Sequence, residues 1–438
     1  MRPSTGAIAR GVLAWAAPTT VLSLLQAAAL LVETVVAARL GRSALAGYAV
    51  VLPFALLLGQ MSAGAMGGGV VSAIARALGA RKLEEASAMV LHALTIAMLF
   101  AAAFILAMVV FPRPILTAIG GPEAAAEGVP YAIALFGAGA IPAWLANTLA
   151  SVLRGAGKHG LAARINSLAW LVFPPLGWAL AEPAGLGLVG LGLGFGIAMW
   201  GAAVAMGWVV ATGAAGFRPS LRVPFQAAIF RRILAVGAVA CALAMVANLT
   251  TILVTAQLKD YGPAAVAAYG VSARLEFLMI PLAFGVGSAL TALVGRAVGG
   301  GDWDLARRTA WVGAGMAFAV CAVVGLSVAL APGAFAGFFA SDAEVQGIAA
   351  LALAYIAPAF AGFGLGMAMY FAAMGAGRMR YPVMAGLSRL VIAVIGGAFL
   401  ADTLGWGLAG HFMGVALGIS AFGLIAASAV RPAVWPGK

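Results

Sequence analysis

The chain has 438 residues, of which 64% are hydrophobic and only 9% are charged. Soluble domains carry roughly 25% charged residues, so this composition excludes a fold that covers its apolar core in water. Apolar runs of about 20 residues recur, and each is long enough to cross a bilayer as a helix. The composition therefore indicates an integral membrane protein with many helices.

Twelve apolar runs in chain order predict twelve transmembrane helices. They lie near 11–39, 46–74, 86–111, 130–152, 160–181, 185–212, 234–258, 264–294, 307–331, 347–373, 381–401 and 405–429. Gly and Pro inside these runs are compatible with helices, because neighbouring helices in a membrane satisfy the freed backbone groups. The first run is too long for the apolar part of a signal peptide, so we expect it to be retained.

The net charge of +12 would suggest a nucleic-acid partner for a soluble protein. Here the basic residues lie in short loops between apolar runs, so we expect no nucleic acid and a lipid bilayer instead. Of the 25 basic residues, 19 lie in the loops and termini on one side of the membrane. The loops on the opposite side contain only Arg39, Arg42, Arg113 and Lys259, and two more, Arg274 and Arg389, lie inside predicted helices. The positive-inside rule then predicts two cytoplasmic termini in the plasma (inner) membrane.

Matching motifs recur at a constant distance of 220 residues. ARALGARKLEEA (75–86) matches GRAVGGGDWDLA (295–306), and RGAGK (154–158) matches MGAGR (374–378). A constant offset indicates an internal duplication. We expect an N-terminal lobe at 1–213, a cytoplasmic linker at 214–232 and a C-terminal lobe at 233–438. Because each repeat has an even number of helices, the two six-helix bundles should be related by a pseudo-twofold axis along the membrane normal.

Several motifs resemble those of the multidrug and toxic compound extrusion (MATE) family, in its bacterial form. They are VETVVAARLG (32–41), the loop 75–86, SVLRGAGK (151–158) and the helix 273–299. Their order and spacing match the family over nearly the whole chain. The resemblance implies two six-helix lobes and cation-coupled export of organic cations and drugs.

The chain departs from the family in its fifth helix. Members often carry Asn-x-x-Asn-x-x-x-Asp-Pro there, whereas this chain has NSLAWLVFP (166–174). Asn166 matches the first Asn, but Ala169 and Phe173 replace the second Asn and the Asp. Acids found in the seventh and tenth helices of some members are also missing, and Asn248 is the nearest polar residue in the seventh.

Two acids, Glu33 and Glu276, lie well inside predicted helices. An ionisable group in a membrane costs roughly 2.5–3.5 kcal/mol on insertion scales, so it usually faces a cavity or a partner. Loss of water favours the neutral form of a carboxylic acid, which makes both residues candidate carriers of a proton or a coupling cation. Glu33 also occupies the position of the family's first-helix Asp. The alternative for Glu33 is a side chain that reaches the outer interface.

The neighbours of Glu33 should be uncharged polar groups, with Gln26, Asn147 and Asn166 as candidates. We expect no fixed cation beside it, and Arg39 should extend to the interface. For Glu276, Arg274 is two residues away and cannot face it on a helix, whereas Arg389 can be its partner. Glu276 is then either a coupling group or half of a structural ion pair.

The candidate cavity-lining or substrate-binding residues are polar or basic groups in the predicted helices, for each of which a plain interhelical hydrogen bond is the alternative. They are Gln26, Asn147, Asn166, Asn248, Arg274 and Arg389. His92 and His411 are not spaced with other ligands, so we expect no metal site. We also expect no cofactor beyond H⁺ or Na⁺ as the coupling ion.

The predicted function is a secondary antiporter that exports amphipathic, cationic drugs or metabolites by alternating access, in exchange for protons or, second, sodium. A flippase for lipid-linked oligosaccharides or other lipids of the same superfamily is the alternative. Its diphosphate cargo would require several basic groups in the cavity. A channel and a membrane-embedded hydrolase are disfavoured, because neither repeated selectivity residues nor a nucleophile–base pair is present. We therefore expect a monomeric transporter of small molecules and not an enzyme.

Overall fold

The structure, a computed structural model, describes residues 3–435 and contains no strand within them. Twelve long helices follow one another along the chain. They are α1 Thr5–Arg39, α2 Arg42–Gly79, α3 Leu83–Val110, α4 Pro112–Gly155, α5 His159–Ala181, α6 Gly187–Ala211, α7 Ala227–Leu258, α8 Pro263–Gly299, α9 Trp303–Leu330, α10 Ala343–Ala376, α11 Arg380–Thr403 and α12 Leu408–Ser428. A short helix, Pro332–Phe339, precedes α10. The predicted all-helical membrane fold is confirmed.

The predicted and observed helices differ most in α4. It was expected at 130–152 but begins at Pro112, with a break at Gly121, where φ is 79°. Residues 112–120 form a short helix of their own, and residues 122–155 form the longer one. Gly readily adopts a positive φ, so the chain can turn at Gly121 between the two helices.

Eleven helices in residues 3–435 are long and apolar enough to cross a membrane by length and composition. The remaining long helix is α5. Arg164, Asn166 and two consecutive prolines, Pro174 and Pro175, make it less apolar than the others. Its 23 residues nevertheless extend about 34 Å, which is enough for a hydrocarbon core of about 30 Å.

The chain forms two compact units. One is Val21–Ala238, and the other joins the chain up to Thr20 with the chain from Val239 onward. Their boundaries fall inside α1 and α7, so each of these helices contributes to both units. The lobe boundaries expected at 213 and 233 remain a prediction. The core of the first unit includes Trp144 and Phe136, and that of the second includes Phe360 and Phe412.

Equivalent glycines pack in equivalent ways inside the two units. Gly190 lies against the backbone of Leu180 and Ala181, and Gly410 lies against that of Leu400 and Ala401. Four pairs of turn residues also share positive φ angles: Arg81 and Gly301, Gly157 and Gly377, Gly185 and Gly405, and Gly187 and Gly407. The offset of 220 therefore describes three-dimensional contacts as well as sequence. The turns at 155–157 and 375–377 are equivalent, while their cytoplasmic location remains a prediction.

Several helices contain a π-helical turn, which inserts one residue and disturbs the regular hydrogen bonding of the backbone. One lies in α2 at Gln60–Ala65, and another in α11 at Ile392–Gly396. Side chains from neighbouring helices bond carbonyl groups of both turns. Arg154 donates to the Ala63 oxygen at 3.3 Å, and Gln257 donates to the Val394 oxygen at 3.1 Å. Such turns often mark functional regions of a helix.

Candidate functional site: a buried carboxyl group in the first unit

Glu33 lies in the C-terminal half of α1 and is only 6% exposed. The hydroxyl group of Tyr131, from α4, donates a hydrogen bond to its carboxyl oxygen Oε1 at 2.8 Å. Tyr131 is itself only 1% exposed. A buried carboxyl group that meets a buried phenol is held in one position, because both polar groups would otherwise lack partners.

A second tyrosine, Tyr48 of α2, extends this site. Its hydroxyl group lies against the same carboxyl group and 3.1 Å from the hydroxyl group of Thr34. Thr34 in turn donates to the Leu30 carbonyl oxygen at 2.8 Å. The rings of Tyr48 and Tyr131 are 5.8 Å apart. Three helices of one unit therefore converge on Glu33 through uncharged hydroxyl groups.

No lysine or arginine among residues 3–435 forms an ion pair with Glu33. Arg39, at the end of α1, is exposed and pairs with Glu182 at 3.3 Å. Glu33 can lose or gain a proton without breaking a salt bridge.

The expected neighbours of Glu33 were wrong in identity, although uncharged polar groups do surround it. Asn147 instead donates to the Ser62 hydroxyl group at 2.8 Å, on the π-helical turn of α2. Asn166 is buried in α5 and Gln26 is half-buried in α1, and neither bonds to the carboxyl group. Sequence analysis missed the two tyrosines because an aromatic ring is compatible with an apolar helix. The hydroxyl group of a tyrosine therefore does not stand out in the hydropathy pattern. The available signal was Tyr48, which ends the stretch RLGRSALAGY (39–48); its counterpart in the second repeat, DYGPAAVAAY (260–269), also ends in Tyr.

The second unit contains a different arrangement. Arg389 of α11 donates to Glu276 of α8, and the two side chains are 10% and 13% exposed respectively. The guanidinium group of Arg389 also lies 5.8 Å from the centre of the Phe363 ring. The pairing considered from sequence is therefore present. Arg274 is exposed on α8 and does not join it, and Asn248 bonds only to the Ala244 oxygen of its own helix at 2.8 Å.

The two membrane histidines, His92 and His411, lie in different units. No cluster of three or more His, Cys, Asp or Glu able to hold a metal occurs in residues 3–435. His92 is fully buried, with its Nδ1 2.9 Å from the Ala88 oxygen, while its Nε2 accepts from the Gln226 backbone N–H at 2.9 Å. The second bond requires Nε2 to be unprotonated, so the proton is on Nδ1. His411 lies edge-on to Tyr261, with ring centres 5.6 Å apart.

Comparison with solved structures identifies the fold. A multidrug resistance MATE family transporter of the MOP superfamily, in an outward-facing conformation, superposes with a TM-score of 0.89 at 21% identity, covering 98% of this chain and 96% of that one. The Vibrio cholerae MATE transporter VcmN in its bent form gives 0.89 at 21% identity and covers 98% of each chain. A MOP superfamily transporter from Pyrococcus furiosus gives 0.90 at 20% identity, with 98% and 96% covered. These transporters have 12 transmembrane helices in two bundles.

Sequence comparison gives the same answer. A probable multidrug resistance protein, NorM, of Deinococcus radiodurans is 28% identical over 453 residues, covering 96% of this chain and 94% of the relative. The MatE family model matches twice, at residues 18–179 and 236–399, so it covers most of both repeats. The chain therefore belongs to the MATE family of multidrug efflux transporters, which are membrane transporters and not enzymes.

Proposed function

We propose that this chain is a proton-coupled antiporter that exports amphipathic small molecules, including organic cations, with Glu33 as the proton-carrying group. The observation that carries the proposal is the position of Glu33: it is buried, bonded by Tyr131 and unpaired with any cation of residues 3–435. A fixed cation would hold the carboxyl group ionised. Sodium remains the second choice of coupling ion. We further propose a monomer in the inner membrane with both termini in the cytoplasm.

The hydroxyl groups around Glu33 can serve both of its protonation states. The ionised carboxylate accepts hydrogen bonds from Tyr131 and Tyr48. When the carboxyl group gains a proton, it can donate to the Tyr48 oxygen, and Tyr48 can then donate to Thr34. Thr34 already donates to the Leu30 carbonyl oxygen, so the chain of hydrogen bonds ends on an acceptor. Each of the four groups, Glu33, Tyr131, Tyr48 and Thr34, therefore keeps a hydrogen-bond partner in either state.

This rearrangement connects protonation with the shape of the first unit. Glu33 and Thr34 are neighbours on α1, while Tyr48 lies on α2 and Tyr131 on α4. A change from acceptor to donor at Glu33 therefore alters the bonds that α1 makes with two other helices. Alternating access requires two conformations of the transporter. A switch of this kind can favour one of two packings of α1 and so shift the balance between those conformations.

The driving force is sufficient for export. One proton that moves inward down 100 mV releases about 2.3 kcal/mol, and each unit of pH difference adds about 1.4 kcal/mol. Together they support a substrate gradient of several hundredfold. A diphosphate-linked cargo fits this chain less well, because Arg389 is already paired with Glu276 and leaves Arg274 as the exposed basic group of that region.

The test is efflux of a fluorescent organic cation from vesicles with an imposed pH gradient or, separately, a sodium gradient. Glu33→Gln keeps the size of the side chain and should abolish export driven by pH while folding and substrate binding survive. Glu33→Asp should keep partial activity, and Tyr131→Phe should reduce it. Glu182→Gln is the matched control, because it removes one carboxylate from the Arg39–Glu182 pair of the same unit.

Two results would overturn the proposal. The first is a Glu33→Gln variant that transports like the parent, which would move the coupling site to another residue. The second is transport that follows the sodium gradient and ignores the pH gradient. Measurement of substrate binding in parallel separates a loss of coupling from a loss of the substrate site.

A further inference from the structure

The segment between α6 and α7 combines arginines with exposed apolar side chains. Residues 216–232 are called the strap below. The strap begins five residues after the end of α6 at Ala211, and its last residues are the first residues of α7, which begins at Ala227. Leu221 is 57% exposed and Phe225 is 64% exposed. Arginines stand before and after these two residues, at positions 218, 222, 231 and 232. From sequence the segment is a polar link, which does not explain why large apolar groups are exposed on it.

The strap is attached to α3 at successive points. Ser87 donates its hydroxyl to the Arg218 oxygen at 2.5 Å, and the Ser220 backbone N–H donates to the Ser87 oxygen at 3.3 Å. The Gln226 backbone N–H donates to Nε2 of His92 at 2.9 Å. Beyond it, Arg232 pairs with Glu85. The strap therefore follows a fixed path along α3 instead of hanging free.

The attachment points define how deep the strap lies. Ser87 and His92 are about 7.5 Å apart along the helix axis, and Glu85 and His92 about 10 Å. Along the axis of α3, the strap thus runs from Ser87 towards the C-terminal end of α3 as far as His92, and then turns back to Glu85. Its lowest part is at Phe225 and Gln226, about 13 Å along α3 from Leu83. Glu84 and Glu85 lie in the first turn of α3, so we infer that this end of the helix is at the water-facing side of the headgroups. With a headgroup layer about 5–8 Å thick, this part of the strap would then lie at the edge of the hydrocarbon core.

His92 explains why the strap can reach this depth. A backbone N–H that enters the hydrocarbon edge needs an acceptor, and His92 supplies it for Gln226. The His92 ring also contacts Phe230 and Phe225, with ring centres at 4.7 and 5.8 Å. His92 is therefore a positioning residue for the lowest part of the strap, while the ring of Phe225 stays on the outside.

We propose that the strap is a binding surface for anionic phospholipids of the leaflet that it faces. Leu221 and Phe225 insert among the acyl chains, and Arg218, Arg222 and Arg231, all exposed, bind the phosphate groups above them. Arg232 is not counted, because it is paired with Glu85, which Lys82 also approaches at 3.7 Å. Basic groups at this level attract anionic lipids, and guanidinium groups form paired hydrogen bonds with phosphate.

The first experiment measures where the strap lies. Cys241 and Cys321 are both buried, so Leu221→Cys offers an accessible thiol for a polarity-sensitive fluorophore. In nanodiscs that contain phosphatidylglycerol, emission should shift to the blue and brominated acyl chains should quench it. A label that stays in a water-like environment, or that aqueous iodide quenches fully, would overturn the proposal.

The second experiment measures lipid selectivity without transport. Phosphatidylglycerol retained by the purified full chain is counted by native mass spectrometry against phosphatidylcholine. The variant R218Q/R222Q/R231Q should lower the apparent affinity for phosphatidylglycerol on the order of 100-fold. The control R164Q/R380Q/R431Q removes the same charge from exposed sites elsewhere and should lower it much less. Lysine at the three strap positions should restore most of the binding.

An equal loss of phosphatidylglycerol affinity in the strap variant and the control would show that only net charge matters. It would overturn the proposal of a specific binding site. Because neither readout uses transport or a proton gradient, these results do not depend on whether Glu33 couples export. A strap variant that binds phosphatidylglycerol like the parent refutes the site even if efflux is normal.

Discussion

Removal of one partner of the Glu276–Arg389 pair should destabilise the protein strongly. Both side chains are nearly buried, at 13% and 10% exposure, so the remaining charge would have neither water nor a partner. Breaking such a pair typically costs about 3–5 kcal/mol, whereas an exposed pair contributes less than about 1 kcal/mol. Arg389→Met should therefore lower the free energy of unfolding by about 3 kcal/mol or more.

A double-mutant cycle tests this expectation. Glu276→Leu and Arg389→Met are compared singly and together, and the free energy of unfolding is measured by titration with a denaturing detergent. Each single variant leaves one uncompensated charge. The double variant replaces both charges by apolar groups of similar volume, and it should recover most of the loss. Glu276→Gln should be milder, because its amide oxygen still accepts from Arg389.

Two outcomes would refute this reasoning. If the single effects were below about 1 kcal/mol, water would have to reach the pair freely. If the effects simply added in the double variant, the two side chains would not interact. Transport by a stable double variant then distinguishes the two roles of Glu276: a structural pair permits export, whereas a coupling group does not.

Three further predictions concern packing and weaker contacts. Gly190→Ala should cost about 1–3 kcal/mol in unfolding experiments, because its Cβ would lie 2.5 Å from the Leu180 carbonyl carbon, whereas Gly201→Ala, with nothing within 4 Å, should be neutral. Asn147→Ala should cost about 0.6 kcal/mol in the same experiment and leave pH-driven efflux intact, because its bond is to Ser62 and not to Glu33; loss of coupling would contradict this. Glu182→Gln should change the unfolding free energy by less than about 1 kcal/mol, because Arg39 is 63% exposed.

The sequence was sufficient for the helices and the repeat, and it singled out Glu33 as a candidate site residue. Runs of apolar residues have few structural solutions in a bilayer, so hydropathy alone located all twelve helices. The offset of 220 carried over to contacts as local as those of Gly190 and Gly410. Glu33 was found through its rarity, because an acid in an apolar helix needs a reason to be there.

The partners of these residues could not be predicted in the same way. Tyr131 is 98 residues from Glu33 in sequence, and only the packing of α4 against α1 brings them together. A tyrosine in an apolar helix satisfies the hydropathy pattern whether or not its hydroxyl group has a role. The π-helical turn of α2 could not be predicted either, because a local insertion leaves no hydropathy signal. Ser62 donates there to the Leu58 oxygen of its own helix, and Arg154 of α4 makes the tertiary contact with the Ala63 oxygen.

The two copies of one turn allow a last prediction about backbone strain. Arg81, between α2 and α3, has a φ of 60°, and its equivalent Gly301 has a φ of 80°. The turns are otherwise the same: Arg81 N–H bonds to the Leu78 oxygen and Gly301 N–H to the Val298 oxygen, both at 3.0 Å. A side chain in this left-handed region costs about 1–2 kcal/mol, which Gly avoids.

Arg81→Gly removes the strain but also adds freedom to the unfolded chain, which costs about 0.4–1 kcal/mol. Relief of the strain is the larger effect, so Arg81→Gly should be more stable than Arg81→Ala by about 0.5–1 kcal/mol. The Ala variant is the necessary reference, because both changes remove the same Arg contacts. Gly301→Ala should lose a similar amount. Thermal and detergent unfolding measure both, and equal stabilities of the Gly and Ala variants at each turn would show that φ at these positions relaxes without cost.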